Sequence, residues 1–170
     1  MTRIILITGG QRSGKSTYAE RRALDLSSRP LYMATAHVWD EEFKERVRKH
    51  QQRRGPEWET IEEERRLSRH DVSGRVVLID CCTLWLTNYM QEDDPLGMVE
   101  QEFDRLTAQD ATFIFVTNEI GMGGVSANAL QRRFTDALGF LNQYIAQRAD
   151  EVVLMVSGIP MKIKPTDTRL

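Results

Sequence analysis

The chain has 170 residues, of which 41% are hydrophobic and 28% charged, and its formal net charge is -2. That length suits one domain with a single core, here residues 1–170. A near-neutral charge speaks against a general nucleic-acid binder, no apolar run reaches membrane-spanning length, and no charged-then-apolar leader opens the chain, so a cytoplasmic protein is expected.

Residues 3–8 form an apolar run read as the first strand, and residues 15–26 read as a helix. Between them lies Gly9-Gly10-Gln11-Arg12-Ser13-Gly14-Lys15-Ser16, the pattern G-x-x-x-x-G-K-S. Gly9 and Gly14 permit backbone angles closed to other residues, so successive N–H groups turn inward around a phosphate. Lys15 brings a point charge to the β and γ phosphates, and the Ser16 hydroxyl is a ligand for Mg²⁺. The helix that follows aims its positive end at the same anion. A nucleoside triphosphate site with Mg²⁺ is expected.

A strand over 31–35 ends in Ala34-Thr35-Ala36, with His37 just beyond as a further possible ligand contact. A helix is expected over 40–54. It starts in acids and ends in Arg46-Val47-Arg48-Lys49-His50-Gln51-Gln52-Arg53-Arg54. Glu42 with Arg46, and Glu45 with Lys49, are four apart and support a helix. Composition alone reads this as a solvated helix. Against that, Trp39, Phe43 and Val47 form an apolar stripe that His50 continues, which puts its imidazole against the body of the protein. Basic neighbours lower its pKa and keep it neutral, as a nucleophile or a base requires. Trp58 and Trp85 are read as packing residues, residues 62–69 as a charged helix-like stretch, and His70 as surface.

Residues 75–81 read as a strand closing on Asp80, either a metal-side acid or a helix N-cap. Cys81 and Cys82 are adjacent and lack the spacing of a disulfide or a zinc site, so they are read as small apolar residues. Helices follow over 84–90 and 95–108. A strand over 112–117 runs into Thr117-Asn118-Glu119 and the glycines Gly121, Gly123 and Gly124. Glu119 is a base towards an acceptor hydroxyl or a second metal-side carboxylate, and the glycines are a flap or a turn. In a helix over 126–148, Leu130, Phe134, Leu138, Leu141 and Ile145 form one core-facing stripe. A strand over 151–157 reaches Ser157-Gly158, residues 159–164 read as a short edge strand, and 165–170 as a frayed end.

Apolar strands alternating with helices imply an α/β domain with a doubly wound, mostly parallel sheet. Ligands of such sheets sit beyond the C-terminal strand ends. That rule selects Thr8, Ala34 to Ala36, Asp80, Thr117 to Glu119, and Ser157-Gly158.

Taken together and in order, the phosphate loop, Tyr32-Met33-Ala34-Thr35-Ala36, Arg46 to Gln51, Pro56-Glu57-Trp58, Leu78 to Asn88, Val116 to Gly123, and Val156 to Lys162 resemble one family. It is the bifunctional adenosylcobinamide kinase / adenosylcobinamide-phosphate guanylyltransferase family of cobalamin biosynthesis. The resemblance covers nearly the whole chain. It implies a RecA-like P-loop NTPase sheet and a homotrimer with sites between neighbouring subunits. It implies phosphorylation of adenosylcobinamide by ATP or GTP, then transfer of GMP from GTP to the phosphorylated corrinoid through a histidine adduct. By position that histidine is His50. Nucleotide-binding positions implied by the resemblance are Gly9, Gly10, Gln11, Arg12, Ser13, Gly14, Lys15, Ser16, Ala34, Thr35, Ala36, Gln51, Gln52, Arg53, Arg54, Glu62 and Leu84. The catalytic set is His50, Lys15 and Glu119, and the metal-side set Ser16 and Asp80. Two rivals stay open: a single-function P-loop kinase with a structural His50, and a non-catalytic nucleotide switch.

Overall fold

The structure is a computed structural model that describes residues 1–37, 41–52 and 54–165, without the side chains of Glu42, Phe43, Arg46, Val47 and His50. In chain order the elements are β1 (Arg3–Gly9), α1 (Lys15–Leu26), β2 (Leu31–Ala34), α2 (Glu41–Gln52), β3 (Glu59–Glu62), a 3₁₀ turn at Leu67–Arg69, β4 (Val76–Asp80), α3 (Cys82–Thr87), α4 (Pro95–Thr107), β5 (Thr112–Val116), α5 (Ala129–Arg148), β6 (Glu151–Val156) and β7 (Ile159–Lys164). The strands form one sheet in the order β3-β2-β4-β5-β1-β6-β7. All pairs are parallel except β6 with β7. This is the doubly wound sheet expected.

Strand alternation explains why the central runs are apolar throughout. Ile4 and Leu6 of β1, Val77 and Ile79 of β4, and Phe113 and Phe115 of β5 face one layer, with Trp85, Phe103, Leu138, Leu141 and Ile145 from α3, α4 and α5. Ile5, Ile7, Leu78, Ile114 and Val116 face the other, against Ala19 and Ala23 of α1. A strand covered on both faces has no polar side to show. The helices are also capped locally. Asp94 accepts from Gly97 N with Pro95 in the first turn of α4, and Asn128 accepts from Gln131 N at the start of α5.

Two expectations change. The stretch 62–69 is not one helix: Glu62 closes strand β3, and only Leu67–Arg69 form a 3₁₀ turn. As an edge strand β3 pairs with β2 and alternates half-buried with exposed residues. Leu130 is not on the core stripe. It is 69% exposed, because the first turns of α5 stand clear of the core that takes Leu138 onwards. Glu45 accepts from Arg48 at 2.8 and 2.9 Å, and the charge of Lys49, four residues on, acts on it as well. The Glu42–Arg46 pair, the stripe of Trp39, Phe43, Val47 and His50, and residues 166–170 lie outside the described residues or side chains.

Trp85 is fully buried and donates to Arg65 O, and Trp58 packs edge-on to Tyr32, so both are packing residues. Cys81 and Cys82 are buried and unbridged. His70 is half-buried beside Glu63 rather than fully on the surface.

Candidate active site

The C-terminal ends of β1, β2, β4, β5 and β6 bring the predicted residues to one edge of the sheet. Gly9 ends β1 with φ 154, where a Cβ would lie 2.6 Å from Met155 O and 2.7 Å from Ser13 Oγ. Gly14 caps α1 in the left-handed region, φ 91, with space for a Cβ only 3.2 Å from Gly158 Cα. No side chain but hydrogen suits either position. Gly158 N in turn donates to Ser13 O at 2.9 Å, so the turn between β6 and β7 buttresses the loop from outside.

Lys15 is buried, and its Nζ donates to Gly10 O at 2.5 Å and approaches Ser13 Oγ at 3.4 Å. The loop thus curls round its own ammonium. Burial holds Lys15 below its ordinary pKa, with Cys81 and Asp80 pulling the other way. Ser16 is half-buried in the first turn of α1, a turn with no acidic residue to neutralise its positive end. Gly10, Gln11 and Arg12 are exposed, Arg12 in the left-handed region at φ 54.

The ends of β2 and β4 are pinned together. Thr35 is fully buried, its Oγ1 donating to Cys81 O and accepting from Cys81 N, while Asn88 Nδ2 donates to Thr35 O. The Thr35 hydroxyl is therefore committed to the fold, between half-buried Ala34 and Ala36. Asp80 is not a helix N-cap, because Cys81 holds that position for α3. Its carboxylate instead accepts a 3.0 Å hydrogen bond from Tyr32 OH. Burial, then the nearby Asp80 charge, push the Tyr32 phenol well above its ordinary pKa, so it stays protonated as the donor. Arg54 lies with its guanidinium carbon 3.5 Å from the centre of the Tyr32 ring. Arg54 Nε and Nη1 are buried and have no hydrogen-bond partner among the described residues.

On the α2 side, Gln51 Nε2 donates to Glu62 Oε1 at 3.0 Å, joining two of the expected nucleotide contacts. Gln52 is exposed and Leu84 packs at the edge of the core layer beside α1. His50 belongs to α2, but its side chain, like all of Arg53, lies outside the described residues. His37 is exposed, with Nδ1 2.8 Å from Glu64 Oε1.

Glu119 follows β5. Its N–H donates to Gly9 O at 2.9 Å, directly beside the phosphate loop, and its carboxylate accepts from Gly121 N at 2.9 Å. Thr83 Oγ1 accepts from Asn118 N and Nδ2, and Thr117 bonds Asn142 of α5. Gly121 also borders a cleft of about 390 Å³ with Val125, Thr135 and Phe140. Sequence reasoning missed Tyr32, Thr83 and Asn88 as organisers. Tyr32 carries the one signal that was available, a hydroxyl inside an otherwise apolar strand.

One hydroxyl, Ser16, lies in the first turn of α1, and one carboxylate, Asp80, closes β4, its charge acting on Lys15 next to Ser16. Among the described residues no three His, Cys, Asp or Glu side chains cluster as a metal cage. Hard oxygens in that small number fit Mg²⁺, which keeps waters and takes its remaining ligands from phosphates.

The family described as cobinamide kinase / cobinamide phosphate guanyltransferase matches residues 5–163. The bifunctional adenosylcobalamin biosynthesis protein CobP of Pseudomonas aeruginosa is 42% identical over 166 residues, covering 94% of this chain and 96% of that protein. The bifunctional adenosylcobalamin biosynthesis protein CobU of Escherichia coli K12 is 40% identical over 181 residues, covering 95% and 99%. Among solved structures, a KaiC-like protein of Pyrococcus horikoshii shares the fold with a TM-score of 0.51 at 14% identity, over 89% of this chain and 70% of that one.

Proposed function

Since the chain belongs to the cobinamide kinase / cobinamide phosphate guanyltransferase family, we propose that one nucleotide cradle serves both of its reactions, with His50 as the covalent relay. Residues 1–170 act as a single unit. In the kinase step the loop amides, Lys15 and the start of α1 grip the triphosphate tail of ATP or GTP and hold its γ phosphorus in line with the aminopropanol hydroxyl of adenosylcobinamide. Ser16 and Asp80 would hold Mg²⁺, which would supply charge neutralisation to the triphosphate. Glu119, whose N–H bonds Gly9 O, is read as the acceptor of the hydroxyl proton. The cleft beyond Gly121 leaves room for the acceptor's approach.

In the second step GTP reacts at its α phosphorus. A neutral His50 nitrogen forms an N–P bond, the bond from Pα to the bridging oxygen breaks, and pyrophosphate leaves. The proton on the other ring nitrogen passes to water. The phosphate of adenosylcobinamide phosphate then attacks the same phosphorus, making a P–O–P bond as the N–P bond breaks, and the departing imidazole takes a proton back from water and leaves as the neutral ring. Gln51, Gln52, Arg53, Arg54 and Glu62 are read as holding GTP beside that histidine, Ala34 to Ala36 and Leu84 as lining its path.

The observation that carries this reading is the run of contacts from Asp80 through Tyr32 to Arg54. It joins the strand end beside the phosphate loop to the segment that directly follows the helix of His50. We read the protein as cytoplasmic and homotrimeric; exposed Ile159, Met161 and Ile163 on edge strand β7 suit a subunit contact. The test is incubation with GTP labelled at the α phosphate. An acid-labile, alkali-stable label on the protein, absent in His50→Ala, is expected. No label on the wild type would leave only a P-loop kinase.

A further inference from the structure

Tyr32 is nearly fully buried in β2, opposite Leu78 of β4, at a place where any large apolar residue would satisfy the core. A buried phenol needs a partner for its O–H. This one finds it in the carboxylate of Asp80 at 3.0 Å. The ring face is used as well. The Arg54 guanidinium carbon stands 3.5 Å from the ring centre, and Trp58 packs edge-on at 6.0 Å with an 82° interplanar angle. A guanidinium held on an aromatic face gains cation–π attraction without spending its N–H donors. Arg54 Nε and Nη1 are indeed buried with no partner among the described residues. One ring therefore touches two groups of opposite charge, a carboxylate through its hydroxyl and a guanidinium through its face.

We infer that Tyr32 is a positioning residue for the nucleotide site, its hydroxyl fixing the Asp80 carboxylate and its ring carrying the Arg54 guanidinium. This rests on the reading above that Asp80 stands on the metal side and Arg54 on the nucleotide. Tyr32 touches neither substrate nor metal; it acts through those two side chains. The hydroxyl and the ring are separable, so the two halves of the inference are too.

The test is equilibrium binding of a fluorescent GTP analogue, measured with saturating Mg²⁺ and again with EDTA. Tyr32→Phe keeps the ring and loses the hydroxyl. It is expected to reduce the Mg²⁺-dependent gain in affinity about tenfold, as one charge-assisted hydrogen bond allows, with binding in EDTA unchanged. Tyr32→Leu also removes the platform. It is expected to weaken binding in EDTA to the level of Arg54→Ala, and the double variant to fall no further. A Tyr32→Phe protein with the full Mg²⁺ gain would overturn the inference. So would an equal loss with and without Mg²⁺ that tracks a lower Tm, since that is the mark of a packing defect. Should Tyr32→Leu fail to fold, Tyr32→Phe decides alone. Asp80→Asn separates the two levels. If it keeps the full Mg²⁺ gain, the metal-side reading of Asp80 falls and takes the inference with it. If Asp80→Asn loses the gain while Tyr32→Phe keeps it, only the inference falls.

Discussion

The helices α1 and α2 both follow strand ends at the same edge of the sheet, yet their described side chains differ in kind. Helix α1 enters the core through Lys15, Ala19 and Ala23, and its first residues are bound into a loop braced by Gly158. The described side chains of α2 are polar and mostly exposed, and Glu45 and Arg48 satisfy each other rather than the body of the protein. Its described ties to the sheet come at its C-terminal end, through Gln51 to Glu62 and, just beyond, Arg54 to Tyr32. Among the described side chains, the phosphate loop is held by backbone and packing, and α2 by contacts between polar groups. That division suits the proposed use of one grip for two different phosphorus atoms.

The contrast breaks most visibly at Gly9. A Cβ there meets the Met155 carbonyl at 2.6 Å, so the loop must move. Gly9→Ala is expected to lower both the kinase and the guanylyltransferase rate by about 100-fold, the cost of an ångström-scale misplacement. Loss of one activity alone, in parallel assays, would show that the loop does not serve both. The α2 side should behave otherwise. Gln51→Ala removes its bond to Glu62 and is expected to slow guanylylation about tenfold while changing the kinase rate less than twofold. Equal losses in both assays would erase the distinction between the helices.

A smaller effect checks the packed side. Burial, then the nearby Asp80 charge, raise the Cys81 thiol to about 11, and burial, then the Cys81 charge, push Cys82 well above its ordinary value. Neither thiol is expected to react with iodoacetamide at pH 8, while both react in denaturant. A folded pKa above the unfolded one means that this contribution to stability is complete below the ordinary thiol range. It is lost as pH rises through about 11, where the unfolded chain holds fewer protons. An alkaline unfolding limb that a Cys81→Ala variant leaves unchanged would contradict this.

Much of this was legible in the sequence because the physics there is local. The glycines of the phosphate loop are demanded by φ values of 154 and 91, and uninterrupted apolar runs announce strands covered on both faces. The strand-end rule then gathered Ala34 to Ala36, Asp80 and Glu119 without any knowledge of their contacts. What escaped depends on tertiary partners. The charged stretch 62–69 reads as a helix but closes edge strand β3 and keeps only a 3₁₀ turn, and Leu130 lies on the helical stripe but past the end of the core. The bonds by which the Thr35 hydroxyl closes β2 onto Cys81 likewise leave no trace in the sequence. Tyr32 looks like core in the sequence; only the position of Asp80 and Arg54 around it gives its hydroxyl and ring separate work.

The central claim is that a single grip presents the γ phosphorus for one reaction and the α phosphorus for the other. It is tested most directly by the rate at which His50 acquires label from α-labelled GTP in Lys15→Ala, a variant that removes the buried ammonium at the heart of the loop. If one cradle serves both steps, labelling falls by about 100-fold or more together with the kinase rate. Labelling at the wild-type rate in a variant whose kinase activity is gone would mean two separate nucleotide sites, and the account would fail.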